Sequence, residues 1–200
     1  MKSCRSFLDW LLENGVVWDC GVGWGYNFDW EAAAAFIPAR TPISVVTAIV
    51  TRAFVSAYRV LGDERYLEVL RDVMSFFLGD LNRFELGSRI CFSYTPVDDM
   101  MVHNANLMVA EALLRLSELF GIDEMRRFVL GAVRFTLFDQ NLDGSFYYFY
   151  KDYARRRGLR NVIDNFHTGY VIYSLCEIYK AMRVEELWSG LVKALSLIHI

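Results

Sequence analysis

Three stretches of the chain carry apolar residues on nearly every face of a helix. The first runs from Thr41 to about Val60 and includes Ile43, Val45, Val46, Ile49, Val50, Phe54 and Val55. A helix without a polar face is buried on all sides. Residues 104–120 and 167–181 repeat the pattern. After each stretch comes a stop, at Gly62, Gly121 and about Arg183, and then a segment with one polar face. In residues 63–81, Leu67, Leu70, Met74 and Phe77 point one way and Glu64, Glu68, Arg71 and Asp72 the other. Residues 123–140 and 185–195 are its counterparts. Thr41-Pro42 reads as an N-cap hydroxyl followed by proline at the first helical position. A further helix over 3–14, with Phe7, Trp10 and Leu11 on one face, precedes all of these and ends at Gly15.

The stops lie 59 and 62 residues apart, and the helix starts near Ile43, His103 and His167 lie 60 and 64 apart. Helical solenoid repeats are shorter, at about 33 to 47 residues. Each unit therefore reads as a long-looped helical hairpin, a buried helix paired with an amphipathic one, which suits a two-layer ring. A parallel sheet would need short β-branched runs between helices. Only Phe146 to Tyr150 reads as a strand, in a small loop hairpin. The expectation is an all-α, single-domain ring of helical hairpins.

The segments between hairpins are unusual. Phe92 to Leu107 (FSYTPVDDMMVHNANL) packs aromatics, two aspartates, a histidine and two asparagines ahead of a helix. GWGYNFDWE from Gly23, GSFYYFYKDY from Gly144 and IDNFHTGY from Ile163 are its echoes. Residues 16–39 read as a glycine-rich loop, with a helical turn at EAAAAF closed by Pro38. Aromatic content is 16% and hydrophobic content 54%, and much of the aromatic share lies in these segments. Connections are normally polar and at the surface, so these are expected to fold over a cleft. Net charge is −3 with the signs interspersed. Without a basic stripe the chain is not expected to bind nucleic acid; Arg155 to Arg157 read as a solvated loop. Charge-free runs such as Asn165 to Cys176 are short of the roughly 20 residues of a membrane span. With Asp9 and Glu13 inside its apolar part, the first helix reads as amphipathic rather than as a signal peptide, and a cytoplasmic protein is expected. Cys4, Cys20, Cys91 and Cys176 are far apart, so neither a zinc site nor a disulfide framework is expected, and no metal or cofactor is.

Taken in order, GWGYNFDW, TPISVVTAIVTRAFVSAYRVLGDERYL, FSYTPVDDMMVHNANL, DGSFYY and IDNFHTGYV resemble the six-hairpin-glycosidase-like proteins often labelled polysaccharide biosynthesis proteins of the VpsJ type. The resemblance covers roughly Gly23 to Tyr179. It implies the (α/α)6 toroid of many glycosidases and of N-acylglucosamine 2-epimerase, with a sugar-binding cavity at the mouth where the inner helices begin. Six hairpins of this size need nearly twice this length. The chain supplies about three of the six and a preceding outer helix, so a part of a ring is expected. The ending LSLIHI breaks the charge rhythm of an outer helix and resembles a translated sequencing adapter, so residues 194–200 are expected to be a non-native tail. Gln140 to Phe146 also resembles the QxxDGxW repeat of terpenoid cyclases, a structural tie in those toroids. Phe146 replaces the tryptophan and the aspartate-rich cyclase clusters are missing, so a cyclase is the remote alternative.

Candidate chemistry follows from the helix starts. His103 and His167 each begin an inner helix one repeat apart, so both are expected at one mouth. Two histidines there could remove and return a proton, as in a sugar epimerase; the plainer role is capping. Asp98, Asp99 and Asp164, with Asp29 behind them, are candidate carboxylates for glycoside hydrolysis, which needs two about 5 to 9.5 Å apart. N-cap and Asx-turn work is the plainer role. Trp24, Tyr26, Trp30, Tyr94, Tyr148 and Phe166 could stack on sugar rings, and Asn104, Asn106 and Asn165 could bond hydroxyls. Arg40 could meet a uronate or phosphate. Asp63 and Asp143 read as cap and turn residues, and His199 is assigned no role. The expected function is that of a carbohydrate-active protein in polysaccharide biosynthesis or modification. A non-catalytic glycan-binding scaffold and an epimerase-like isomerase are the alternatives. Uncovered hairpin faces are expected to drive self-association.

Overall fold

Seven long helices alternate between two layers among the described residues, 2–31 and 34–198, of the computed structural model. His199, the last residue of the suspected tail and part of the EAAAAF turn lie outside them. The inner layer holds α2 (Ser44–Leu61), α4 (His103–Phe120) and α7 (Asn165–Met182). The outer layer holds α1 (Lys2–Glu13), α3 (Glu64–Ser75), α5 (Arg126–Phe138) and α8 (Glu185–Ile198). Hairpin partners pack as α2 on α3, α4 on α5 and α7 on α8, and α4 also packs between α2 and α7.

That middle position explains α4, whose residues from His103 to Ser117 are buried except Arg115. The same expectation for α2 is corrected. Ile49 and Val60 are 46% and 80% exposed because no described hairpin stands against that flank. On α1, Leu8 enters the core and Leu11 packs against it, while Phe7 and Trp10 face outward. By length and composition α2 alone among the described residues could cross a membrane; it carries Arg52 and Arg59 and is built into the packing with α3 and α4.

The inner helices end alike. Gly62, Gly121 and Arg183 all adopt the left-handed conformation, with φ of 64°, 67° and 51°. Each donates its N–H to the carbonyl four residues back, at Tyr58, Ser117 and Tyr179. Glycine adopts this conformation freely, whereas an L side chain pays about 1 kcal/mol or more. Arg183→Gly is therefore expected to stabilise the chain by about 0.5–1 kcal/mol. A urea midpoint that rises at unchanged slope would show it; a lower midpoint would mean that the contact of the Arg183 guanidinium with the Tyr179 ring, 5.5 Å apart, outweighs the strain.

The inner helices begin differently from expectation. Thr41-Pro42 does not cap α2: the N-cap is Ile43, without a side-chain bond. The Ile43 N–H goes to the Trp24 carbonyl at 2.8 Å and the Ser44 N–H to the Tyr94 carbonyl at 2.9 Å. Likewise the His103 N–H goes to the Tyr148 carbonyl at 3.2 Å. Carbonyls from the loops thus replace the hydroxyl cap at the first two inner helices. Only α7 has a side-chain cap among the three, Asp164, which accepts from the His167 N–H at 2.8 Å.

The loops are folded, as their aromatic content implied. Residues 16–37 form two short hairpins, β1 (Val16–Val17) with β2 (Val22–Gly23) and β3 (Trp30–Glu31) with β4 (Phe36–Ile37). Their glycines serve close approach: a Cβ on Gly25 would stand 1.9 Å from the Thr41 carbonyl oxygen. A longer hairpin, β5 (Arg83–Leu86) with β6 (Arg89–Phe92), was not expected. The 146–150 segment is no hairpin strand; Phe149 makes one bridge to Val102, and α6 (Lys151–Arg157) follows. Arg155 to Arg157 are the last turn of that helix rather than a loop. Beneath these segments lies a second small core that includes Ile37, Ile43, Tyr94, Val102 and Phe149. The chain between Phe76 and Asp80 widens into a π-turn, which brings both Phe76 and Phe77 into the main core.

The Gln140 to Phe146 motif is a tie. Gln140 donates to the carbonyls of Gly144 and Gly190 at 3.0 and 2.9 Å, pinning the loop to α8. Asp143 accepts from the Ser145 N–H and hydroxyl.

Candidate functional site

The mouth where α2, α4 and α7 begin gathers two histidine–carboxylate pairs. His103 Nε2 lies 2.9 Å from Asp139 Oδ2, at the end of α5. The same oxygen accepts the Lys151 N–H at 3.0 Å, and Lys151 Nζ donates to the Asp139 carbonyl. One carboxylate thus fixes both the His103 ring and the start of α6. The second pair is His167 Nδ1 with Asp164 Oδ2, at 2.7 Å. Burial works against the Asp164 carboxylate, but the His167 backbone N–H and ring outweigh it and lower its pKa.

His103 and the Asp164–His167 pair border one cavity of only about 10 Å³, lined also by Asn104, Phe146, Tyr148 and Thr168. Nδ1 of His103 and Oδ1 of Asn104 are buried and have no hydrogen-bond partner. A volume of this size is at the limit for a single water, so no sugar enters it. The expectation that both histidines meet the open mouth is corrected: His103 is 1% exposed and turned toward Phe135 and Phe146. His167 is half-buried and reachable.

The aromatic candidates form an arc above. Tyr26 stacks on Phe28 at 5.2 Å and meets Trp30 at 5.8 Å, and Trp30 meets Tyr94 at 5.9 Å; Tyr94 itself is buried in the second core and is removed from the platform. On the other side Tyr148 meets His167 at 4.5 Å, and Phe166 meets His167 at 5.3 Å. Burial, with Asp164 nearby, pushes the Tyr148 phenol up to about 12. Burial, with Tyr148 beside it, raises Tyr94 further. Both phenols are donors at neutral pH.

Other candidates lie elsewhere. Trp24 is a core residue, packed on Phe54 and donating its indole N–H to the Leu11 carbonyl, so it is removed from the platform. Asn106 is also removed: it is buried, accepting from the Phe92 N–H and donating to Ile90 and Ala132. Asp98 accepts from the N–H groups of Tyr94 and Met100 and from the Thr95 hydroxyl. Burial raises its pKa despite those bonds. Asp99 is exposed and paired with Arg157. Asp29 accepts the Ala39 N–H at 2.7 Å. Arg40 is exposed in a turn with φ of 63°, and Asn165 is exposed at the first turn of α7.

Sequence reasoning missed Asp139 and Lys151, whose only signal is their place beside the loop. It also missed a charged chain across the inner layer: Arg52, Glu111, Arg115 and Glu177. Glu111 and Arg115 inside an apolar helix were its signal, because buried charges are paired. Among the described residues no three His, Cys, Asp or Glu side chains converge as metal ligands would.

No protein-family model and no curated protein matches the chain. Solved structures do. A cellobiose 2-epimerase from Spirochaeta thermophila superposes with a TM-score of 0.71 at 12% identity, over 99% of this chain and 54% of that one. A family 76 glycoside hydrolase from a bovine Bacteroides thetaiotaomicron strain gives 0.59 at 9% identity, over 80% and 35%. An α-1,6-mannanase of Salegentibacter, inactive with two adjacent aspartates replaced by alanine and bound to α-1,6-mannotetraose, gives 0.60 at 13% identity, over 78% and 46%. The fold is an α/α toroid. The chain spans between about a third and about half of these neighbours' lengths, and it carries three hairpins of the ring together with an outer helix.

Proposed function

We propose that this chain forms part of the mouth of a carbohydrate-active toroid and acts by moving a proton on a sugar. The observation that carries this reading is the Asp164–His167 pair set beside a partly exposed aromatic arc. With its Nδ1–H given to Asp164, His167 keeps the Nε2 lone pair free as a general base. It would take the proton from the carbon beside the carbonyl of an open-chain sugar, leaving an enediolate. The Tyr148 phenol, still protonated, would donate to the enediolate oxygen. Tyr26, Trp30 and Phe166 would hold the sugar ring, with Asn165 and Arg40 at its edge. His103 and Asn104 lie behind and position the wall. Returning the proton to the opposite face needs a second acid. The other rim loops of a complete ring are where it would stand.

Support comes from the cellobiose 2-epimerases among the structural neighbours. The motif order shared with polysaccharide biosynthesis proteins supports a place in polysaccharide synthesis or modification, and four unpaired cysteines support a cytoplasmic setting. A second reading is hydrolysis at Asp98 and Asp99, favoured by the adjacent aspartates of the mannanase and by the raised pKa of Asp98. Incubation with cellobiose in D2O separates the two. Deuterium at C2 of the reducing glucose is the expected result. Release of glucose without exchange would replace this reading by hydrolysis, and binding without either would leave a glycan-binding scaffold.

The exposed flanks, with Ile49 and Val60 on α2 and Trp188 and Val192 on α8, support self-association of this half ring. Sedimentation at micromolar concentration is expected to give a dimer or larger, and a single monomeric species would count against it.

A further inference from the structure

A further cavity among the described residues stands apart from the histidine cavity. It lies between β5 and α6, measures about 380 Å³, and falls in the range of ligand pockets, roughly 300–1,000 Å³. We propose that this cleft is a second carbohydrate site, which seats one neutral pyranose ring of a longer glycan.

Its walls are aromatic and fixed. Phe84 and Tyr150 both rest on the buried Phe135, with ring centroids 6.2 and 4.9 Å away. Leu86, Met101 and Tyr153 complete the apolar lining. Such walls suit the apolar face of a sugar ring. The polar lining is a set of balanced pairs, Asp99 with Arg157 and Asp152 with Arg156. Each pair sets an acceptor beside a planar donor, which a neutral diol satisfies at both ends. Among the lining residues two acids face two bases, and the neighbouring Arg155 is held by Asp152 as well. Tyr153 supplies an independent sign. It is 7% exposed and its hydroxyl is buried without a hydrogen-bond partner, although the Asp99 carboxylate lies near. Buried hydroxyls are rarely left so, and a small turn of the phenol away from the Asp99 carboxylate would present it to a sugar hydroxyl in the cleft.

The cleft is also tied to the mouth. Asp139 accepts the first N–H of α6, which carries Tyr153, Arg156 and Arg157, and it holds His103 with the same oxygen. A glycan could therefore lie across the rim with one ring in the cleft and another over the aromatic arc. The inference rests on the carbohydrate reading of the mouth.

The test follows the methyl of Met101 and the indole of Trp30 by NMR while cellobiose and α-1,6-mannotetraose are titrated into the full chain. Met101 is expected to shift with at least one sugar. The dissociation constant read at Met101 should rise about tenfold in Tyr153→Phe and in Arg157→Gln and stay unchanged in Val17→Ala, an exposed position outside both sites. Shifts at Trp30 with none at Met101, or a wild-type constant in Tyr153→Phe, would overturn the cleft and leave the mouth standing. No shift at either place would remove the carbohydrate reading and the cleft with it. Tighter binding of inorganic phosphate than of either sugar would overturn the neutral ligand.

Discussion

Replacing Glu111 by alanine is expected to cost about 3 kcal/mol or more of stability, the range for breaking a buried ion pair from one side. The Glu111 side chain is 1% exposed. One oxygen accepts from Arg52 Nε at 2.7 Å and the other from Arg115 Nε. Arg115 continues to Glu177 at 3.0 Å, and the Arg52 guanidinium lies over the Tyr173 ring at 4.7 Å. The chain of charges therefore joins α2, α4 and α7, and alanine leaves two guanidinium groups without the acid between them. Both arginines are about one-fifth exposed, so water takes up part of the loss and the lower end of the range applies. Glu111→Gln keeps the shape and should lose less. Urea unfolding at a common slope measures the difference; a loss under about 1 kcal/mol would place this network with ordinary surface pairs.

His167→Ala is expected to lower deuterium incorporation into cellobiose by about 10²–10⁴-fold, the usual worth of a general base, with sugar binding retained. Asp164→Asn should fall between, because it removes the charge that orients the ring. Equal turnover in His167→Ala and the parent would end the proton-transfer proposal. The same aspartate predicts a pH effect. Its folded pKa is lowered by His167 against the opposing effect of burial. Its contribution is therefore fully present above the unfolded value and lost as pH falls through the lowered one. The first turn of α7 should loosen below about pH 3.9, the ordinary aspartate value. The amide shift of His167 followed from pH 6 down reports it, and the change should vanish in Asp164→Asn.

The hairpin repeat was legible because burial on both flanks demands an apolar helix, and α4 satisfies that demand along nearly its whole length. At α2 the same reasoning overreached: its apolar flank faces no described hairpin, and composition does not say what stands beside a helix. Thr41-Pro42 misled for a different reason. A cap is chosen by whichever acceptor reaches the first N–H groups, and the Tyr94 carbonyl, fifty residues on, reached Ser44. The β5–β6 hairpin and α6 were hidden because short elements inside aromatic loops have too few positions to show a period. Within the site, His167 and Asp164 were legible as neighbours in sequence. Asp139 was not, since its bond to His103 spans 36 residues. Trp24 was misplaced because a tryptophan between glycines looks alike on a rim and in a core.

The loop carbonyls that cap α2 and α4 also set an order of assembly. Ile43 is met by Trp24 from the loop already made, but Ser44 waits for Tyr94, and His103 for Tyr148. During synthesis a helix can form as soon as it leaves the ribosome, but its mouth is latched only when the following hairpin's loop has been made. The rim should therefore mature one repeat behind the helices, in one direction, with α7 exempt because Asp164 latches it locally.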